Sequence, residues 1–381
     1  VISPARITAF EILRLVHGGG YAADLLHSRS TGLEKRDAGL ASELVLGVLR
    51  FQGQLDFLIG HFAGRPAGRL DPEVRIALRM GIYQLRHLTR VPPHAAVSES
   101  VELIKRARKR SAAPLANAVL RKVHRQPVLW PDRATEFSHP EWMLARWDRQ
   151  YGSATAATIA RANLDPPQTY VRVPGKAPSG VILEPTEVPG CYLVVEGSAA
   201  GLRVQGIGSQ AVVPLLDLQC GQTFLDLCAA PGNKTAQALE AGVQAVACDL
   251  HLSRLVHMRD LGCRLVALDG TRPLPFSTCF DRILVDAPCS GTGTLARNPE
   301  IKWRLKPADL ETLPVRQRRL LENALEHLAP GGRLVYSTCS LEREENEGVI
   351  EAARLHPERL WRRMPGMDAG DGFFAAVLRS E

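Results

Sequence analysis

The chain has 381 residues, 45% of them hydrophobic, with 47 Lys and Arg against 40 Asp and Glu. That length exceeds one ordinary core and predicts two or three domains, and the apolar content excludes a disordered chain. No apolar run approaches the ~18 residues that cross a bilayer, and the opening VISPARITAF lacks the pattern of a secretory signal, so a cytoplasmic location without a membrane partner is expected.

The charge is uneven. Residues 1–140 carry 21 Lys and Arg against 12 Asp and Glu, while the remainder is near neutral. The densest spots are KRARKR, with Lys105, Arg106, Lys109 and Arg110, and RKVHR, with Arg121 and Lys122. A charge run alone is usually a solvated helix face; an excess spread over a whole domain points to a phosphate-binding surface.

In chain order, residues 1–128 read as an all-α domain. Apolar positions recur at helical spacing in Ala9-Phe10-Ile12-Leu13-Val16, Ala41-Leu44-Val45-Val48-Leu49 and Val74-Ala77-Leu78-Ile82-Leu85. Asp71-Pro72 predicts a cap and a first-turn proline for the third of these. After the break at Val91-Pro92-Pro93-His94, the pattern resumes over Ser98 to Arg108 and Ala116 to His124. Residues 129–205 follow the break at Gln126-Pro127 and read as a small α/β connector, with a short helix near Trp142 to Tyr151 and strand-like pieces at Thr169 to Val173 and Cys191 to Val195. Over 206–381, the buried-strand runs TFLDLCAA, AVACDL, RLVALDG, DRILVDAPCS and GRLVYSTCS alternate with helical stretches, and FFAAVLR closes the series. That alternation predicts a mostly parallel α/β sheet.

The first of those strands runs into DLCAAPGNKT, Asp226 to Thr235. A strand that feeds a Pro-Gly turn and then a helix places backbone N–H groups around a ligand at the carboxyl edge of the sheet. Three later runs reach Asp249, Asp269 and Asp286. Any one of these Asp residues could be a helix cap. Together, in register with the turn, they suit a nucleoside cofactor without a phosphate tail, whose ribose hydroxyls a carboxylate can accept.

Eight cysteines stand at 191, 220, 228, 248, 263, 279, 289 and 339. None forms a C-x-x-C pair or zinc-site spacing, so no metal is expected, and most read as small buried hydrophobes. Two stand apart. Asp286-Ala-Pro-Cys289 and Thr338-Cys339 each follow a strand, and adjacent parallel strands would bring both thiols to one crevice. Carbon 5 of a cytosine is a poor nucleophile until a thiolate adds to carbon 6 and turns the ring into an enamine. An acid near N3, for which Asp286 is placed, stabilises the developing charge, and a second thiol assists release. The chemistry alone leaves open which cysteine attacks. The target base must be single-stranded or flipped out.

With CAAPGNK, Asp249, Asp269, DAPCSGTG, NPEIKWRL and YSTCSLEREENE, the chain resembles the Nop/Sun family of RNA cytosine-5 methyltransferases. VRIALRMGIYQLRHLTRVPPHAAVSESVELIK and LANAVLRKV resemble the helical RNA-binding domain related to the antiterminator NusB, so the resemblance spans nearly the whole chain. It implies a Rossmann-like class I catalytic domain with a seven-stranded sheet and S-adenosyl-L-methionine as cofactor. Cys228, Ala229, Ala230, Pro231, Gly232, Asn233 and Lys234 would cradle its methionine part. Asp249 would hold the ribose, Asp269 would lie near the adenine, and Asp286 would sit between cofactor and target. Cys339 would attack and Cys289 assist release, the reverse of the DNA enzymes, in which the Pro-Cys cysteine attacks.

A monomer is expected, and the resemblance further implies action on small-subunit ribosomal RNA, with a transfer RNA enzyme or a non-catalytic assembly or antitermination factor as alternatives. There are two departures from the family pattern. Asn233 stands where a second glycine is usual, a substitution that a φ > 0 turn tolerates best. VQGIGSQ has Gly206 where the family has an acid after Gln205.

Overall fold

A computed structural model describes residues 2–123, 128–175 and 178–380. Within RKVHR, His124 and Arg125 lie outside the described residues, as does the break at Gln126-Pro127. The chain divides into two compact units, one of Val1–Asp165 with Leu295–Arg304, the other of Pro166–Thr294 with Leu305–Glu381. The stretch 129–205 is therefore shared. Its helices Arg133–Glu136, Glu141–Tyr151 and Ser153–Ala162 belong to the first unit, and its strands to the second.

The first unit is all-helical. Helices Pro4–His17 and Lys35–Arg50 each bury one apolar stripe, the latter through Ala41, Leu44, Val45, Val48 and Leu49. Helix Pro72–His87 is buried over nearly its whole circumference, from Val74 to Leu85, and forms the centre of the core with helices Pro93–Arg106 and Ala113–Lys122 packed beside it. Asp71 does precede Pro72, but its side chain makes no cap bond and pairs with Lys109 Nζ at 2.9 Å.

Leu295–Arg304 is a late-sequence insertion into this early-sequence unit. Lys302 is fully buried there, with Nζ donating to the carbonyl of Arg50 at 2.8 Å; the Trp303 indole donates to Leu49 O at 2.7 Å, and Ala22 N donates to Glu300 Oε1 at 3.0 Å.

The second unit has two sheets. Strands β1 (Tyr170–Arg172), β2 (Val181–Pro185), β3 (Cys191–Gly197) and β4 (Arg203–Val204) form an antiparallel sheet in the order β2-β3-β1-β4. The larger, Rossmann-like sheet has β5 (Thr223–Asp226), β6 (Gln244–Asp249), β7 (Arg264–Ala267), β8 (Phe280–Asp286), β9 (Leu328–Thr338), β10 (Arg359–Arg363) and β11 (Phe373–Arg379) in the order β10-β11-β9-β8-β5-β6-β7. The ladders from β7 to β9 are parallel, whereas β11 pairs antiparallel with both β9 and β10. Helices Asn233–Leu239 and Asp309–Leu325 belong to this unit, the second packing its Leu320, Leu321 and Ala324 into the sheet core. The strand order reverses direction beside β5, the kind of switch point at which open α/β sheets hold ligands.

Burial pushes the Lys302 amine well below its ordinary value, with the Arg50 guanidinium as a lesser cause. A lysine depressed in this way contributes its stability above its unfolded value near 10.5, and loses it as pH falls through the folded value. Lys302→Met should therefore melt higher relative to wild type at pH 6 than at pH 10. An equal difference at both pH values, read by differential scanning calorimetry, would contradict the neutral buried amine.

Candidate active site

The turn after β5 is fixed by its neighbours. Leu227 N donates to Leu284 O at 3.0 Å and Ala229 N to Cys248 O at 2.8 Å, so the chain stays laced to β8 and β6 as it leaves the sheet. The Ala230–Pro231 peptide is cis, and Gly232 takes φ +103°. The left-handed position is therefore Gly232. Asn233 is the first residue of helix Asn233–Leu239, so the expectation that Asn233 must tolerate a positive φ is corrected. At the other departure, Gly206 precedes helix Ile207–Val212, and a Cβ on it would lie 3.2 Å from Asp371 Oδ2; a carboxylate from the DGFF segment thus stands beside the position that lacks one.

The four strand-end carboxylates have different surroundings. Asp249 closes β6 and accepts from Ala230 N at 3.2 Å and His251 N at 2.9 Å, tying the first turn to the second strand end. Asp269 follows β7 and accepts from the Thr271 hydroxyl at 2.7 Å and amide at 3.0 Å, bonds that hold its carboxyl below the usual range. Asp286 closes β8, with Lys234 Nζ on Oδ2 at 2.6 Å and the Ser337 hydroxyl on Oδ1 at 2.8 Å.

Asp226, which pattern reading passed over as part of the turn, is 1% exposed. It accepts from the Thr235 hydroxyl at 2.7 Å, while its Oδ1 has no partner. Burial is the main cause of a carboxyl pushed up to about 7, and Asp286 adds to it. Cys228, half-buried in the turn, is held as a neutral thiol by burial and by the carboxylates of Asp226, Asp286 and Asp249.

Strands β8 and β9 pair in parallel with Asp286 opposite Ser337, so the loops beyond them start level. Cys289 Sγ and Cys339 Sγ lie 3.4 Å apart. Both are free thiols, and both are partly exposed. Contact with the Cys339 sulfur, then burial, raises the Cys289 thiol well above its ordinary value.

Beneath the thiols, Glu345 is fully buried and joins both loops. It accepts from Ser290 N at 2.8 Å, the Ser290 hydroxyl, the Ser340 hydroxyl at 2.5 Å and Gln317 Nε2 at 2.9 Å. Gln317 also reaches Pro288 O at 2.9 Å, and the Tyr336 hydroxyl donates to Glu345 O at 2.6 Å. A buried carboxylate satisfied at this many points is rigid, and it fixes the residues that follow each cysteine. Gly293 completes the arrangement by donating to Cys339 O at 2.9 Å.

The basic residues lie in the first unit. Lys105 Nζ is 2.7 Å from Glu102, Arg106 is 3.9 Å from Glu11, and Lys109 is 2.9 Å from Asp71. Arg110 opens the turn Arg110–Ala112, and Arg121 and Lys122 are exposed in the last turn of their helix. Half of the basic run is thus already offset by acids, which charge counting along the sequence does not reveal.

The model of the 16S rRNA methyltransferase RsmB/F family matches residues 213–364, and that of the NusB family matches residues 3–125. The chain is 34% identical to the ribosomal RNA small subunit methyltransferase B of Enterobacter sp. (strain 638), with 98% of each chain covered. Among solved structures, PH0851 has a similar fold, at TM-score 0.82 and 23% identity over 100% of this chain and 99% of that one. A methyltransferase homologue from Pyrococcus horikoshii matches at TM-score 0.58 and 26% identity, over 66% of this chain and all of its own.

A Cβ at Gly293 would lie 2.4 Å from Gly372 O and 2.8 Å from Cys339 O, contacts with backbone that cannot swing away. Gly293→Ala should cost about 1–3 kcal/mol in urea unfolding; a neutral result would show that the two loops are not held this closely. At Asp226, the raised carboxyl contributes stability that is intact below its unfolded value near 3.8 and lost as pH rises through about 7. The melting temperature of Asp226→Asn should therefore gain on wild type between pH 5 and pH 8.5, and a gap that stays constant would rule out the buried proton.

Proposed function

The chain belongs to the RsmB/F family of 16S rRNA methyltransferases, and we propose that it methylates carbon 5 of a cytosine in small-subunit ribosomal RNA through a covalent adduct with Cys339. The observation that carries this reading is the pair of thiols 3.4 Å apart, with Asp286 at the end of one of the two paired strands that hold them.

The residues present fit S-adenosyl-L-methionine. The cofactor is cationic at its sulfonium, and the turn offers Asp226 with an unpartnered buried Oδ1, Asp249 and Asp269 at successive strand ends, and a glycine at the crest of the loop. Cys228 to Lys234 would hold its methionine part, Asp249 the ribose and Asp269 the adenine. When bound, it supplies an electrophilic methyl group.

The rest is done by the chain. As the Cys339 thiol gives its proton to solvent, its sulfur forms a bond to carbon 6, and the ring's π electrons move to make carbon 5 nucleophilic. The hydrogen-bonded pair of Lys234 and Asp286 presents a proton to N3 as charge develops there, while Asp286 accepts from the exocyclic amine. After methyl transfer, the proton on carbon 5 must leave and the bond from Cys339 to carbon 6 must break. Cys289, 3.4 Å from the Cys339 sulfur, is placed to give its proton to solvent and, as a thiolate, to take the proton on carbon 5 as the bond from Cys339 to carbon 6 breaks. The resemblance to the Nop/Sun family assigns attack to Cys339 and release to Cys289.

The substrate is single-stranded or flipped-out RNA, met in the cytoplasm by a monomer, with the basic helical unit supplying phosphate contacts. Methyl transfer from labelled cofactor to undermethylated small-subunit RNA, with mapping of the product, tests the reading. Cys339→Ala should abolish transfer, and Cys289→Ala should leave a protein–RNA adduct stable to denaturing electrophoresis. Activity retained in Cys339→Ala and lost in Cys289→Ala would invert the roles, and a product other than 5-methylcytosine would refute the chemistry.

A further inference from the structure

Two cavities in the helical unit share His17 and Ile76 as wall residues. The first, of about 330 Å³, is lined by Arg75 and Arg79 from helix Pro72–His87 and by Glu300, Trp303 and Arg304 from the inserted segment. The second, of about 580 Å³, carries Arg14 and Arg29 together with Glu11 and Glu73.

The charges in these walls are not equally engaged. Arg79 is clamped by both oxygens of Asp56 at 2.7 Å and by Gln52 at 3.1 Å, and Arg14 faces Glu73 at 3.7 Å. Glu11 is turned to Arg106 at 3.9 Å. The Arg75 side chain has no hydrogen bond or ion pair among the described residues, and its Nε is buried without a partner; the Arg29 side chain has none either. Burial, then the guanidiniums of Arg75 and Arg79, lowers the His17 imidazole, which places His17 beside the same positive cluster. Glu300, 2% exposed, keeps Oε2 unpartnered. Trp303 uses its indole N–H on Leu49 O and lines the cavity with its ring.

A partly buried guanidinium with no hydrogen-bonded partner, and with only Asp56 acting on it at longer range, is stabilised by an anion that completes it. A phosphate does so with a geometry that matches the planar fork. A space of about 330 Å³ is at the small end of ligand pockets and suits a single base or similar group. An aromatic ring in a cavity wall is the surface on which an unstacked base packs.

We propose that these two neighbouring cavities form a docking groove for single-stranded RNA, with backbone phosphates on Arg29, His17 and Arg75 and one unstacked base against Trp303. The groove rests on the reading of this protein as an enzyme of ribosomal RNA. It differs from the Lys105–Arg110 run, where three of the cations already face Glu102, Glu11 and Asp71.

The test is a salt titration of binding between the full-length chain and a 16S ribosomal RNA fragment. Each phosphate contact to a single strand contributes ~0.7 to the slope of log affinity against log salt. The Arg29→Gln/Arg75→Gln double variant should flatten the slope by ~1.4 and weaken binding about tenfold at low salt, whereas Lys105→Gln/Lys109→Gln should change it less. Ultraviolet crosslinking of wild type to the same RNA should place an adduct on the peptide that contains Trp303, and this decides the matter if the double variant does not fold. An unchanged slope in a folded double variant, or crosslinks that avoid that peptide, would overturn the groove. Wild type that binds and methylates RNA while the double variant does so equally well sinks the groove alone. Wild type that binds no RNA overturns both the groove and the proposed function.

Discussion

The parallel ladder between β8 and β9 sets the spacing of the two thiols on which the proposed chemistry depends. It pairs Val285 with Tyr336 and Asp286 with Ser337, so the two strands end level and the loops beyond them begin side by side. Three residues past Asp286 stands Cys289, and two past Ser337 stands Cys339. A slip of one residue in this register would turn every side chain of one strand to the opposite face of the sheet. Both strands are buried on both faces, as their apolar runs require, so the register has little freedom.

What the ladder aligns, a polar network immobilises. Glu345 joins the Ser290 and Ser340 loops from below, and Gln317 adds a bond from helix Asp309–Leu325. Above it, Lys234 spans from the helix after the first turn to Asp286. The turn after β5 and the strand end that leads to Cys289 are thus linked through one ion pair, and side chains from β5, β8, β9 and three loops act as one assembly. The cost is the gathering of carboxylates. Asp226 stays protonated up to about 7 because burial and its acidic neighbours oppose a further negative charge.

Much of this is legible in the sequence because it is local or periodic. Apolar runs that end in Asp give the parallel strands, helical spacing gives the buried stripes of Lys35–Arg50 and Pro72–His87, and two cysteines each following a strand give the thiol pair. Other features leave no such trace. Glu345 sits in LEREENE, part of the motif YSTCSLEREENE, whose charged composition gives no sign that this carboxylate is buried. Strand β10, RLWRR, has no apolar run and takes its extended form from pairing with β11. Asn233 looked like the strained residue of its turn, yet the positive φ belongs to Gly232, because the helix begins one residue earlier than the glycine pattern implied. The offset of Lys105, Arg106 and Lys109 by acids depends on partners up to 95 positions away.

The insertion of Leu295–Arg304 bears on how the chain is made. A ribosome finishes residues 1–165 long before it reaches position 295, so the helical unit emerges with a gap in its wall. Until the segment arrives, the carbonyls of Leu49 and Arg50 lack the donors that Trp303 and Lys302 bring, and Ala22 N lacks its acceptor. Synthesis from the N-terminus ordinarily lets the leading domain close first. Here the first domain is completed by residues from the second half of the chain, so its final closure waits until most of the trailing sheet has been synthesised.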